Sequence, residues 1–128
     1  MTYHFSKKVN LSFEDAITRT TEVLAKNGFG VLSKIDIKGT LKKKLDVDFR
    51  PYTILGACNP GFAHQALQAE PHIGTMLPCN VIVQDIGHEQ VEISAVDPMA
   101  SMQAVENESL GDIAGAVQGL LKKVIADI

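Results

Sequence analysis

Apolar and polar residues alternate along five short stretches of the chain, which is the period of a strand with one buried face. The predicted strands cover residues 2–9, 29–37, 52–58, 79–86 and 91–96. A Gly-His turn separates the last two strands, so we expect them to form an antiparallel hairpin. The connection between the third and fourth strands is long enough to hold a helix.

Helical spacing of apolar residues is found in three further segments. The first helix is predicted to begin after Ser12, whose hydroxyl can cap the first turn, and to end at Asn27-Gly28. The second has Asn59 as its cap and Pro60 as its first residue, because proline lacks the N–H that the first turn leaves unpaired. This helix must end before Pro71, since the residue that precedes a proline disfavours helical geometry.

The third helix is predicted to begin with Ser109 as its cap and to continue to the C-terminal residue. Glycines 111, 115 and 119 align along one side of it, although each glycine costs about 1 kcal/mol relative to alanine inside a helix. This line suggests that another backbone comes close, either the sheet or a second subunit, and drift on a tolerant surface is the alternative. Residues 39–48 suggest a short amphipathic helical turn or a flap.

Together these elements predict an α+β fold, a two-layer sandwich of a five-stranded, mainly antiparallel sheet with helices on one face. We expect one domain over residues 1–128, a length that can bury a core without metal or disulfide staples.

Composition and charge argue against two partner classes. The net charge is −3, and aromatic residues make up 5% of the chain with no tryptophan. Phosphate binding needs a basic surface, and single-stranded nucleic acids need stacked rings, so we expect no nucleic-acid partner. The run Lys42-Lys43-Lys44 is balanced by acids elsewhere and reads as solvated surface.

No apolar run approaches the roughly 18 residues of a membrane span, and the first residues lack the apolar core of a signal peptide. We therefore expect a cytoplasmic protein without a membrane partner. Thiols are normally kept reduced in that compartment, so its cysteines are expected to be free.

The most informative chemistry is a repeated Cys-Asn pair, Cys58-Asn59 and Cys79-Asn80. These are the two cysteines of the chain, and each lies at a boundary of a predicted strand. If the third and fourth strands pair antiparallel, both thiols lie at one end of the sheet, facing each other or on the diagonal. The helix that starts at Pro60 begins at the same place, and its positive end favours an anion or a thiolate.

Three interpretations of the cysteines stay open. Both can be inert apolar fillers, as free cysteine often is. They can form a redox pair, if the sulfurs come close enough to bridge. They can bind a soft metal together with His64 or His72, although the Cys-x-x-Cys spacing of a zinc knuckle is missing. No metal, cofactor or catalytic residue is predicted beyond these weak candidates, because the chain lacks phosphate loops and hydrolase signatures; whether it is an enzyme stays open.

The residues around the two pairs resemble a known prokaryotic family, domain of unknown function 302. The likeness rests on residues 55–60, 63, 66–67, 70, 73–74, 77–81 and 97–98, and it extends over the whole chain. The resemblance implies a fold similar to the TATA-binding protein, β-α-β(4)-α, with an extra helix before the fourth strand. It also implies a homodimer, and it assigns no activity.

From these observations we expect a binding or sensing module for a small anionic or thiol-reactive ligand. The ligand-binding residues would be Cys58, Asn59, Pro60, Cys79 and Asn80, with the two asparagines orienting the ligand. The alternatives are a homodimeric interaction protein with inert cysteines, and a thiol redox or soft-metal protein.

Overall fold

The computed structural model describes residues 2–128, which form five strands and six helical segments. The strands are β1 His4–Val9, β2 Gly30–Asp36, β3 Tyr52–Cys58, β4 Cys79–Gly87 and β5 Gln90–Val96. The α-helices are α1 Phe13–Lys26, α2 Ile37–Leu45, α3 Pro60–Ala69, α4 Pro98–Ser101 and α5 Glu108–Asp127, and a 3-10 helix spans Pro71–Met76.

The five strands form one sheet in the order β1-β5-β4-β3-β2, and every neighbouring pair is antiparallel. The predicted α+β fold with an antiparallel sheet is therefore confirmed, including the hairpin of β4 and β5 and the helix between β3 and β4. The likeness to the TATA-binding protein stays a prediction. A short helix, α4, occupies the stretch after β5 that was predicted to be a plain connection.

The main core lies between one face of the sheet and the helices α1 and α5. Alternate residues of β3, β4 and β5 point into it, because successive side chains of a strand point to opposite faces. The largest fully buried side chains of this core are Leu24, Leu55, Ile93, Leu121, Val81, Val83 and Val124. The opposite face of the sheet carries a mixture of polar and half-buried apolar side chains.

A second, smaller cluster of Ala66, Ile73 and Leu110 joins α3 and the 3-10 helix to α5. None of these three residues belongs to the main core. Residues 60–76 are therefore attached to α5 by an apolar contact of their own.

Helix caps follow the sequence at two of the three predicted positions. Ser12 accepts a hydrogen bond from the backbone N–H of Asp15 at 3.1 Å, and Asn59 caps α3. The prediction for the last helix is wrong. Asn107 is its cap and accepts from the Ser109 N–H at 3.0 Å, while its amide donates to the carbonyl of Ala69 at 2.8 Å. Asn107 rather than Ser109 caps the helix because its side chain satisfies both the helix end and the carbonyl of Ala69.

Residues 39–48, predicted to be a short helical turn or a flap, are mostly in the helix α2. Lys42 forms ion pairs with Asp46 and Asp48 at 2.9 and 3.4 Å on the exposed side, so this lysine belongs to a solvated surface. Within residues 2–128, no helix is both long and apolar enough to cross a membrane.

The glycine line of α5 approaches no backbone of its own chain. A β-carbon at Gly111 or Gly119 would meet nothing within 4 Å, and one at Gly115 would touch only Met99 Sδ at 4.0 Å. The sheet is thus excluded as the reason for the glycines, and the second-subunit and drift interpretations remain.

Candidate functional site

The pairing of β3 with β4 brings the two cysteines to the same end of the sheet. Ala57 is the direct partner of Cys79, so Cys58, the last residue of β3, lies one position further along and has the strand parity of Gly56 and Asn80. The two strands are neighbours at the centre of the sheet. Both thiols are free, and Cys79 is buried while Cys58 is half-buried.

Both cysteines line one small cavity between this end of the sheet, α3 and α5. Its volume is about 30 Å³. Aromatic and aliphatic side chains make up most of its wall, including Phe29, Phe62, Leu77, Met102, Ile113 and Val117. Cys58, Cys79 and Asn59 are the lining residues whose side chains can form hydrogen bonds. An apolar space of this kind suits an uncharged occupant, because a charge inside it would lose its hydration without gaining a partner.

The environment of Cys79 favours the neutral thiol. Burial, and after it the neighbouring Cys58, raises the pKa of Cys79 from 9.0 to about 11. Both causes oppose the thiolate, burial because it removes water and Cys58 because a second negative charge repels the first. The effect of Cys58 on this pKa reflects the closeness of the two side chains.

The helix that starts beside the cysteines offers little to an anion. Pro60 has no N–H, and the N–H of Phe62 donates to Asn59 Oδ1 at 3.3 Å. In this first turn, the N–H of Gly61 is the one that is neither missing, as in Pro60, nor bonded to the cap, as in Phe62. Asn59 therefore serves the helix, and Pro60, although it occupies its predicted place, is exposed and does not line the cavity.

Asn80 is not brought to the cavity. It is the partner of Gly56 and is exposed on the face of the sheet opposite to Cys79, as alternation along β4 requires. The expectation that both asparagines orient one ligand is corrected by this geometry, since Asn59 and Asn80 lie on different sides of the sheet.

Gly56 explains how Pro78 and Ser33 pack on that second face. A β-carbon at Gly56 would lie 2.8 Å from Pro78 Cγ and closer still to Ser33 Oγ. The absence of a side chain lets the proline ring, which directly precedes Cys79, lie flat against β3.

The two histidines considered as weak metal ligands do not lie beside the cysteines. His64 and His72 are exposed, and neither lines the cavity. His72 faces Glu70, with His72 Nδ1 at 3.5 Å from Glu70 Oε2. Across the described residues, no group of three or more His, Cys, Asp or Glu side chains is arranged to hold a metal ion.

Sequence reasoning missed most of the cavity wall. Phe29 precedes β2, Met102 follows α4, and Ile113 and Val117 lie on α5, so the wall joins segments far apart in sequence. The helical period of α5 indicated that Ile113 and Val117 face inward, but no local signal indicated which end of the sheet they reach.

Fold and site together define a small α+β protein with a thiol-lined cavity between an antiparallel sheet and its helices. The family model described as "Domain of unknown function DUF302" matches residues 5–128, and the chain belongs to this family. It is similar to the crystal structure of an uncharacterized conserved DUF302 protein from Bacillus stearothermophilus, with a TM-score of 0.91 and 26% sequence identity. That likeness covers 99% of this chain and 98% of the other. No curated protein matches the chain.

Proposed function

We propose that this protein is a binding or sensing module for a small, uncharged, thiol-reactive molecule that enters the cavity between Cys58 and Cys79. The observation that carries the proposal is that both cysteines of the chain line one cavity whose remaining wall, apart from Asn59, is apolar.

The anionic ligand of the sequence analysis is not part of this proposal. The wall is apolar, the pKa of Cys79 is raised, and the first turn of α3 has one spare N–H. Each of these features disfavours negative charge at the site. The same raised pKa speaks against Cys79 as a redox thiol or a metal ligand, because both roles need the thiolate.

The size of the cavity limits the ligand. A volume of about 30 Å³ admits roughly one water-sized molecule. A larger occupant requires side chains of the wall to move. Cys58 is the half-buried thiol and therefore the one that an entering molecule meets.

Iodoacetamide is a suitable probe because it is small and uncharged. Its reaction forms a bond between Cys58 Sγ and carbon, releases iodide, and passes the thiol proton to solvent. We expect Cys58 to be alkylated at least about tenfold faster than Cys79 in the native protein at pH 8, as measured by site-resolved mass spectrometry, since burial and a raised pKa both slow Cys79.

The variant Ala63→Val tests the cavity itself, because Ala63 lines it on α3. Filling this space should slow the alkylation of Cys58 several-fold. Ala116→Val is the matched control, since Ala116 is an exposed helical residue that is not part of the cavity wall. Equal, slow labelling of both thiols, with no effect of Ala63→Val, would remove the ligand site and leave inert cysteines.

A second candidate is a homodimeric interaction protein, and one surface favours it. β2 is an edge strand, and exposed apolar side chains concentrate on β2 and the segment after it. Leu32 is 69% exposed, Ile35 46% and Leu45 66%. An edge strand with exposed apolar residues is a ready surface for another chain.

Sedimentation velocity tests this candidate. If β2 pairs with a second copy, Leu32→Lys should weaken the dimer at least about tenfold, because it places a charge in the contact. Leu67→Lys on α3 is the control, an exposed leucine away from β2. A wild-type chain that sediments as a monomer at every concentration would exclude the dimer.

A further inference from the structure

A second concave site lies on the sheet face opposite to α1 and α5. It is a groove of about 420 Å³, within the range of small-molecule sites. Residues of four strands and of the segments just before β1 and β3 line it, among them Tyr3, Arg50, Tyr52, Asn80, Ile82 and Glu92. The groove shares none of these residues with the cavity of the two cysteines.

A chain of hydrogen bonds fixes one end of the groove. Arg50 Nε donates to Gln84 Oε1 at 3.0 Å, and Gln84 Nε2 donates to Glu92 Oε1 at 3.3 Å. The amide of Gln84 therefore stands between the guanidinium and the carboxylate. As a result Arg50 and Glu92, the two charges that line the groove, do not neutralise each other by direct contact.

The guanidinium of Arg50 is also held by aromatic rings. Its central carbon lies 4.5 Å from the ring centre of Phe49 and 5.5 Å from that of Tyr52. Among residues 2–128, nothing pairs with its two terminal NH₂ groups. A planar guanidinium with a fixed Nε and two free NH₂ groups presents the fork that binds a carboxylate with two parallel hydrogen bonds.

The other end of the groove is ordered as well. Tyr3 and His4 pack edge to face with ring centres 5.0 Å apart. His4 Nδ1 contacts Ser6 Oγ at 2.8 Å, and Ser6 Oγ contacts Ser94 Oγ at 2.7 Å. Ile82 supplies an apolar floor between the two ends, and the exposed amide of Asn80 lies at the His4 end. The arrangement offers a flat apolar surface with donors at its margins.

The charges of this face select a monoanion. The chain as a whole carries a net charge of −3. In the groove, however, Arg50 is accompanied by one carboxylate, that of Glu92. Lys8 lies directly across the ladder from Glu92 and offsets its charge. One guanidinium balances one negative charge. A phosphate dianion would leave its second charge near Glu92 without a partner.

We propose that this groove binds a small carboxylate with a flat apolar body. The carboxylate pairs with the terminal NH₂ groups of Arg50, and the body lies over Ile82 beside Tyr52.

Benzoate is the probe, and the amide shifts of ¹⁵N-labelled protein are the measurement. We expect saturable shifts confined to β1, β3, β4 and β5 on this face, with a dissociation constant on the order of 1 mM. Benzamide, which has the same shape without the charge, should bind at least about tenfold more weakly. Binding that is equal for benzoate and benzamide overturns the proposal.

One variant tests the named contact with the carboxylate. Arg50→Lys keeps the charge but loses the planar fork, and it should weaken benzoate binding about tenfold. Lys38→Gln, on the exposed side of α2, is the control for general loss of positive charge and should leave binding unchanged.

The competing occupant is a second copy of the chain. If benzoate causes no saturable shifts at millimolar concentration and sedimentation shows a dimer that Tyr3→Glu dissociates, this face is a subunit interface and the ligand proposal fails. An equal loss of binding in Lys38→Gln and Arg50→Lys would show that benzoate responds only to the overall positive charge. That result would also overturn the proposal.

Discussion

Cys79 and Asn80 are consecutive residues of β4 whose side chains lie on opposite faces of the sheet. Cys79 is buried in the wall of the apolar cavity, and Asn80 is exposed in the groove behind it. The thiol site and the proposed carboxylate site are therefore separated by the thickness of one sheet. The effects of a substitution at Cys79 and of one at Asn80 can therefore be measured separately, because the two side chains have different neighbours.

The raised pKa of Cys79 predicts that folding stability falls in alkaline solution. The thiol ionises at pH 9.0 in the unfolded chain and at about 11 in the folded one, so the unfolded state alone loses the proton between these values. The contribution of the Cys79 thiol to the free energy of unfolding is therefore complete below pH 9. As the pH rises to 11, the free energy of unfolding falls by about 2–3 kcal/mol.

Urea unfolding of the wild type and Cys79→Ala at pH 8 and pH 10.5 measures this effect. The difference in stability between the two proteins should narrow at the higher pH, since alanine has no proton to lose. A constant difference would show that Cys79 ionises normally.

Gly56→Ala should destabilise the protein by about 1–3 kcal/mol. Ser33 can rotate its hydroxyl away from the new β-carbon, but the ring of Pro78 is rigid and must move together with the start of β4. Gly30→Ala is the matched control in a neighbouring strand, where a β-carbon meets nothing within 4 Å. Thermal unfolding of both variants makes the comparison, and equal midpoints would contradict the contact with Pro78.

Thr20→Val should stabilise the protein by about 1 kcal/mol. Thr20 is fully buried on α1, and its hydroxyl is a buried side-chain oxygen with no hydrogen-bond partner. Valine has nearly the same shape and removes the unpaired polar group. Thr21→Val is the control, because that hydroxyl donates to the Ile17 carbonyl at 2.8 Å. A loss of stability in Thr20→Val, measured by denaturant unfolding, would mean that the hydroxyl has a partner after all.

Gly119→Ala tests the glycine line of α5. In the isolated chain nothing lies within 4 Å of the new methyl group, so the variant should gain about 1 kcal/mol from helix propensity. Thermal unfolding at several protein concentrations is the measurement. A destabilisation that grows with concentration would instead indicate that a second subunit packs on these glycines.

The sequence was sufficient for the elements that local chemistry determines. The predicted bounds of β3 are confirmed, since the helix start at Asn59-Pro60 ends the strand, and β4 begins at Cys79 as predicted. The cap of α5 was assigned to Ser109 rather than Asn107, since both residues can cap a helix and the choice depends on the carbonyl of Ala69 across the fold.

The site was predicted in part, for a related reason. The antiparallel pairing of β3 with β4 was enough to bring Cys58 and Cys79 to one end of the sheet. Grouping Asn80 with Cys79 ignored the alternation of side chains along a strand. The cavity wall and the Arg50–Gln84–Glu92 chain could not be read from the sequence, because they depend on contacts between segments that only the folded chain brings together.

The pairing of Ala57 with Cys79 also protects the chain against misassembly. Sliding β4 by a single residue would turn the Asn80 amide into the dry interior and Cys79 out into water. A buried amide without a partner costs about 1–3 kcal/mol, so the misaligned sheet is penalised at this point before any other contact is counted. The order of the two residues, cysteine first and asparagine second, thus acts as an alignment mark for the central strands, whatever either side chain binds.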